Sequence, residues 1–240
     1  MTMEIMNWQE GSLHGTIYRG SGEGRVVYIL EPVPVTEKVA HLAEELSLTL
    51  VSMSGMDWNG DLSPWKAPKV FKSEDDFSGG AEGFMRKLEG TVFPGVERKA
   101  GLTVSHRMMA GISMSGLFAL YMASRSEALS AAASISGSLW FDGFTDFIRE
   151  KGVNPAVKRV YLSLGDREKK TGNPRMAKVE DATLEIEKIL QQRGVETVFQ
   201  MNRGNHFVYG AERLEEALRY LAEGKLWKGP HSLRDGGLVS

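Results

Sequence analysis

Six short apolar runs recur along the chain, at residues 26–31 (VVYILE), 48–54 (LTLVSMS), 106–112 (HRMMAGI), 131–136 (AAASIS), 159–165 (RVYLSLG) and 197–202 (TVFQMN). Most are nearly continuous in apolar residues, so they read as strands covered on both faces rather than half-wet ones. Segments of helical period separate them. Over residues 174–193 the apolar set is Met176, Val179, Ala182, Ile186, Ile189 and Leu190, with Gly194 placed as a C-cap. Over 211–221 the set Leu214, Ala217, Leu218 and Leu221 gives a one-faced stripe. This alternation predicts an α/β protein with a mostly parallel central sheet and helices on both faces. Residues 1–24 read as N-terminal antiparallel edge strands. No repeat or linker divides the 240 residues, so a single domain over 1–240 is expected, with a loose Gly-rich tail over 225–240. Residues 55–80 show no clear period but carry Trp58, Trp65 and Phe71. A connection that long inside a compact domain is usually functional or disordered, and the aromatics argue against disorder.

Composition excludes several chemistries. The chain has no cysteine, which removes a thiol nucleophile, disulfides, thiolate zinc sites and cysteine-ligated iron–sulfur clusters. A net charge of −2 argues against nucleic acid or an anionic membrane surface as a partner. No apolar run approaches the ~18 residues of a membrane span. The first ten residues (MTMEIMNWQE) have two acids and no base, unlike a secretory signal. A cytoplasmic location is expected. The glycines of residues 20–24 precede a strand rather than follow one, so they read as a turn and not a dinucleotide loop. No histidine cluster suggests a metal, and no cofactor is expected.

The strongest chemical signal is residues 109–120, MAGISMSGLFAL. A glycine, a serine two positions on and a small residue two further lie between an apolar strand and an apolar helix. That is the setting of a nucleophile elbow, in which Ser113 sits on a sharp turn with its hydroxyl off the C-terminal edge of the sheet. Ser115 stands where a second glycine is usual. The N–H of Met114, at the start of the following helix, is placed to stabilise a developing oxyanion. Ser136 and Ser138 also end a strand but lack the glycine two positions before.

A serine hydroxyl needs a base. Of five histidines, His14 lies in an N-terminal strand pattern, His41 in a helix, His106 at the far end of the strand leading to the elbow, and His231 in the tail. Only His206 directly follows an apolar strand and precedes a helix, on the same sheet edge as Ser113. The strand at 159–165 runs into Asp166 and Glu168, either of which could orient the imidazole. Serine, then acid, then histidine is the order of α/β-hydrolases.

With those residues in place, the chain resembles the Putative esterase family of α/β-hydrolases, which includes enterochelin-type siderophore esterases, feruloyl-type esterases and S-formylglutathione hydrolases. The resemblance spans roughly residues 26–221. It rests on GISMSGLFAL at 111–120, DWNGDLSPWKAP at 57–68, GSLWF at 137–141, YLSLGDREKKTGNP at 161–174 and GNHF at 204–207. It implies Ser113 as nucleophile, His206 as base and Glu168 as the acid, with Asp166 the alternative. Family members often carry Asp-Gly where this chain has Glu31-Pro32. Pro32 and Pro34 have no N–H, so Val33 is the expected second oxyanion donor, ahead of Val35. Trp58, Trp65, Trp140 and Phe141 are expected to wall a substrate pocket. Lys66, Arg167, Lys169, Lys170 and Arg203 lie in the same loops and leave room for an anionic or catechol-like substrate.

The expected function is that of a serine carboxylester hydrolase acting through an acyl-enzyme on a small-molecule ester. A siderophore-lactone esterase or an acyltransferase of the same fold are the alternatives. A catalytically silent binding protein is the reading from a different class, and the intact serine, acid and histidine argue against it.

Overall fold

The computed structural model describes residues 3–30 and 35–233. Its sheet begins with a hairpin, β1 (Glu4–Glu10) and β2 (Leu13–Arg19), whose turn carries Gly11 at φ 62°. The six apolar runs form β3 (Arg25–Leu30), β4 (Thr49–Met53), β7 (His106–Ile112), β8 (Ala131–Ile135), β9 (Arg159–Gly165) and β10 (Glu196–Asn202). Their order in the eight-stranded sheet is β1-β2-β4-β3-β7-β8-β9-β10. Along that order, from β4 to β10 every pairing is parallel, whereas β1–β2 and β2–β4 are antiparallel.

Alternate residues of each central strand feed two separate apolar layers. On β3, Val26, Tyr28 and Leu30 face the larger layer, whereas Val27 and Ile29 face the smaller. The smaller layer is closed by α1 (Glu37–Glu45) and α7 (Gly210–Glu223) through Leu42, Leu214, Leu218 and Leu221. The larger is closed by α2 (Ala81–Lys87), α3 (Phe93–Lys99), α4 (Met114–Arg125), α5 (Phe144–Lys151) and α6 (Val179–Gln192). A π-type turn at Leu88–Val92 joins α2 to α3. Because both faces are covered, the strands carry almost no solvated side chains, which is why they read as continuous apolar runs.

The unpatterned stretch at 55–80 is built from turns around a two-stranded ribbon, β5 (Lys66–Ala67) and β6 (Phe77–Ser78). Asp57 organises its first turn by accepting from the N–H groups of Asn59 and Gly60 at 3.2 and 3.1 Å. In the tail, residues 231–233 run antiparallel along the free edge of β10, with the Arg203 N–H donating to the His231 carbonyl and the Leu233 N–H to that of Met201. The His231 ring stacks on Tyr209 at 3.6 Å, and the Ser232 hydroxyl donates to buried Glu216. An unpaired strand edge offers hydrogen bonds that outweigh a glycine-rich composition; residues 234–240 lie outside the described residues. Among the described residues no helix is long and apolar enough to cross a membrane.

Candidate active site

Four consecutive parallel strands, β7 to β10, deliver their C-terminal loops to one edge of the sheet. Between β7 and α4 the chain reverses at Ser113, whose backbone has φ 63° and ψ −125°. A non-glycine residue there stores strain, on the order of 1–3 kcal/mol, and such residues cluster at functional sites. The close approach that permits the turn is made by glycine: a Cβ on Gly111 would lie 2.2 Å from the Ser115 carbonyl oxygen, and one on Gly116 would lie 2.9 Å from that of Gly111. Ser115 does not crowd the elbow. Its buried hydroxyl accepts from the Ile112 N–H at 2.8 Å and lies 2.7 Å from the Ile112 carbonyl and 3.0 Å from that of Leu30.

The imidazole of His206, in the loop after β10, connects two of the predicted residues. Its Nε2 is 3.1 Å from Ser113 Oγ and its Nδ1 is 2.8 Å from Glu168 Oε2. A carboxylate can only accept, so Nδ1 carries the proton and Nε2 is left to accept from the serine. Glu168 reaches this position because the chain turns tightly after β9: its N–H donates to the Gly165 carbonyl, and its Oε1 accepts from the Gly165 N–H at 2.6 Å. The Ser136 hydroxyl donates to the same oxygen at 2.7 Å. Burial alone would push the Glu168 carboxyl up. The bonds from His206, the Gly165 N–H and Ser136 outweigh that and hold it below the usual carboxylate range. Asp166 is turned away and accepts from the Gly204 N–H at 2.8 Å, a brace between the β9 and β10 loops. Of the remaining histidines, His14 bonds the Ser12 carbonyl, His106 meets Ser105, His41 lies on α1 and His231 stacks on Tyr209.

Met114 opens α4, so its N–H belongs to the first turn and has no intrahelical acceptor. Val33 lies outside the described residues; Val35 packs its side chain against the layer under α1 and α7. Ser113 and His206 stand in the wall of a cavity of about 420 Å³. Trp58 and Trp140 line it, joined by Phe71, Phe77 and Phe207. Trp65 and Phe141 do not. Trp65 donates its indole N–H to the Asp142 carbonyl at 2.9 Å and packs on Phe141 and Phe147, while Phe141 is buried edge-on to Phe77. Both support the wall from behind, a distinction that loop position alone does not carry. Arg167 and Lys170 line the cavity; Lys169 is paired with Glu180, and Lys66 and Arg203 lie elsewhere. Among the described residues no group of three or more His, Asp or Glu could hold a metal ion.

The sequence reading missed Arg213, which is fully buried beside Glu168 on α7. A stripe Arg213, Glu216, Tyr220 at steps of three and four repeats the helical period next to the apolar set, and all three are buried. That second stripe was the available signal.

Residues 2–221 match the Putative esterase family. The chain belongs to this family. As a Putative esterase family member it is an esterase, and its sheet and helices form an α/β-hydrolase fold. A curated relative, the uncharacterized protein YbbA of Bacillus subtilis (strain 168), is 23% identical over 185 residues, covering 72% of this chain and 73% of that one. Among solved structures, an IroE-like serine hydrolase from Shewanella oneidensis superposes with a TM-score of 0.73 at 17% identity, over 92% of this chain and 80% of that one. The siderophore hydrolase EstA of Aspergillus nidulans does so with a TM-score of 0.70 at 16% identity, over 92% and 94%. At such identities the likeness to the solved structures speaks for the fold.

Proposed function

We propose that this esterase is a serine carboxylester hydrolase that works through an acyl-enzyme on Ser113. The observation that supports this reading is the unbroken hydrogen-bonded chain Ser113–His206–Glu168 bordering an aromatic-walled cavity. Attack of Ser113 Oγ on the ester carbonyl passes its proton to His206 Nε2, and Glu168 stabilises the imidazolium. The Met114 N–H receives the developing oxyanion, with Val33 the second donor. The imidazolium then protonates the departing alcohol. Water, activated by the same imidazole, releases the acid from Ser113. His206 is 27% exposed, so water reaches the base for the second half of the reaction. Ser113, His206 and Trp58 also border a second cavity of about 420 Å³ beside Ile112 and Ile135, leaving space for both halves of an ester.

A siderophore lactone is the second reading. EstA is a siderophore hydrolase, and here the cavity combines aromatic walls with the cations Arg167 and Lys170. The test is hydrolysis of aryl esters, aliphatic esters and siderophore lactones, together with labelling by a fluorophosphonate. Ser113 should be the labelled residue, and Ser113→Ala should lower turnover ~10⁴-fold or more. Labelling at Ser136 or Ser138, or retained turnover in Ser113→Ala, overturns the assignment.

A further inference from the structure

Arg213 rises from the first turn of α7 into the space behind the site, where its side chain is 1% exposed. Nη1 donates to Ser136 Oγ at 2.6 Å and to Glu168 Oε1 at 2.9 Å. Nη2 donates to the carbonyls of Arg203 and Asn205, each at 3.1 Å. One guanidinium therefore joins the loops after β8, β9 and β10, and two of its acceptors are the carbonyls of Arg203, directly after the end of β10, and of Asn205, directly before His206. Gly165 makes room for it: a Cβ there would lie 2.6 Å from Arg213 Nη2 and 2.3 Å from the Gly204 carbonyl.

We propose that Arg213 is a positioning residue of this esterase, fixing the Glu168 carboxylate and the His206 loop in register with Ser113. The inference rests on the acyl-enzyme reading above. Glu168 has two oxygens and two tasks. Oε1 is held by Gly165, Ser136 and Arg213, which leaves Oε2 aimed at the imidazole. A planar fork with fixed donors sets such a geometry, and an ammonium does not. Net stability is a poor account of the arrangement, because a buried ion pair is often no more stabilising than apolar residues of the same volume.

The charge acts as well. The imidazolium formed on His206 is attracted by Glu168 and opposed by Arg213, so losing the cation leaves the carboxylate's pull unbalanced. Other charged and titratable groups near the imidazole are Arg167, Lys170 and Glu74 in the cavity lining and Asp166 on the Gly204 N–H, while Arg203 and His231 lie along the β10 edge.

The experiment measures the second-order rate of Ser113 labelling by a fluorophosphonate between pH 5 and 9, with melting temperatures, for the full chain and two variants. Arg213→Met should label ~10²-fold more slowly at pH 7, the cost of a small misplacement of reacting groups. Its ascending pH limb should move to higher pH. Arg213→Lys should return the limb toward the wild-type position, because charge is restored, while the rate stays low, because the fork is not. A Met variant with wild-type rate and limb, and only a lower melting temperature, would show a purely structural residue and overturn the inference. If the Met variant does not fold, the Lys variant decides: slowed labelling supports the proposal and an unchanged rate overturns it. Wild-type protein that is not labelled at Ser113 overturns the acyl-enzyme reading itself, whereas labelling indifferent to Arg213 overturns this inference alone.

Discussion

Asp166 and Glu168 sit two positions apart in one loop, yet their carboxylates face different partners. Glu168 is folded back onto its own strand end and faces the imidazole, whereas Asp166 spans to the next loop. Glu168→Gln should slow turnover by ~10²- to 10⁴-fold, because a neutral amide neither orients the imidazole correctly nor stabilises its cation. It should also destabilise the fold by about 3–5 kcal/mol, since Arg213 keeps its charge in a buried place without the counter-ion. Asp166→Asn retains an oxygen for the Gly204 N–H and should cost under tenfold in turnover. Steady-state kinetics and urea denaturation on the two variants test the ranking. The lowered carboxyl of Glu168 adds a pH dependence with a definite sign. In the unfolded chain a glutamate titrates near ~4.3, so above that pH the folded state holds the carboxylate at an advantage. The advantage fades as pH falls through the lower folded value. The stability difference between wild type and Glu168→Gln should therefore shrink below about pH 4.

At the scale of elements, the strand–turn–helix of β7 and α4 is limited by backbone approach. Gly111→Ala would drive a Cβ into the Ser115 carbonyl at 2.2 Å, which is backbone and cannot swing aside. It should cost about 1–3 kcal/mol, the usual toll of overpacking, and abolish labelling of Ser113. Gly83→Ala is the counterpart: it lies in α2 with nothing within 4 Å of the added methyl, and should raise stability by about 0.5–1 kcal/mol. Thermal melts of both variants check the contrast. The strands were legible in the sequence because burial on both faces leaves continuous apolar runs, and α6 and α7 because each wets one side. Residues 81–100 gave no such signal, since Gly83, Gly90, Pro94 and Gly95 interrupt a helix that passes through a π-type turn. The two-residue strands β5 and β6 are too short to carry a period. Ser113, His206 and the acid loop could be located because each follows a readable strand. Arg213 was harder to read, because its one signal, the stripe Arg213, Glu216 and Tyr220 at helical spacing, has the same form as a solvated polar face.

Across the whole molecule, the groups that meet at the site are far apart along the chain. Ser113 and His206 are separated by 93 residues, and Arg213 lies 77 beyond Ser136. Parallel strands paired over such distances close slowly, because loop entropy is spent before the contacts form. On refolding from denaturant, helix signal in the far ultraviolet should recover before fluorophosphonate labelling of Ser113 does. Simultaneous recovery would mean that α7 docks together with the elbow. The three-loop bond network of α7 thus gives the enzyme an order of arming. A ribosome releases Ser113 long before the helix that braces the Glu168 and His206 loops, so on the acyl-enzyme reading a half-made chain carries a serine with no base to wake it. On that reading ester cleavage becomes a property of finished molecules alone.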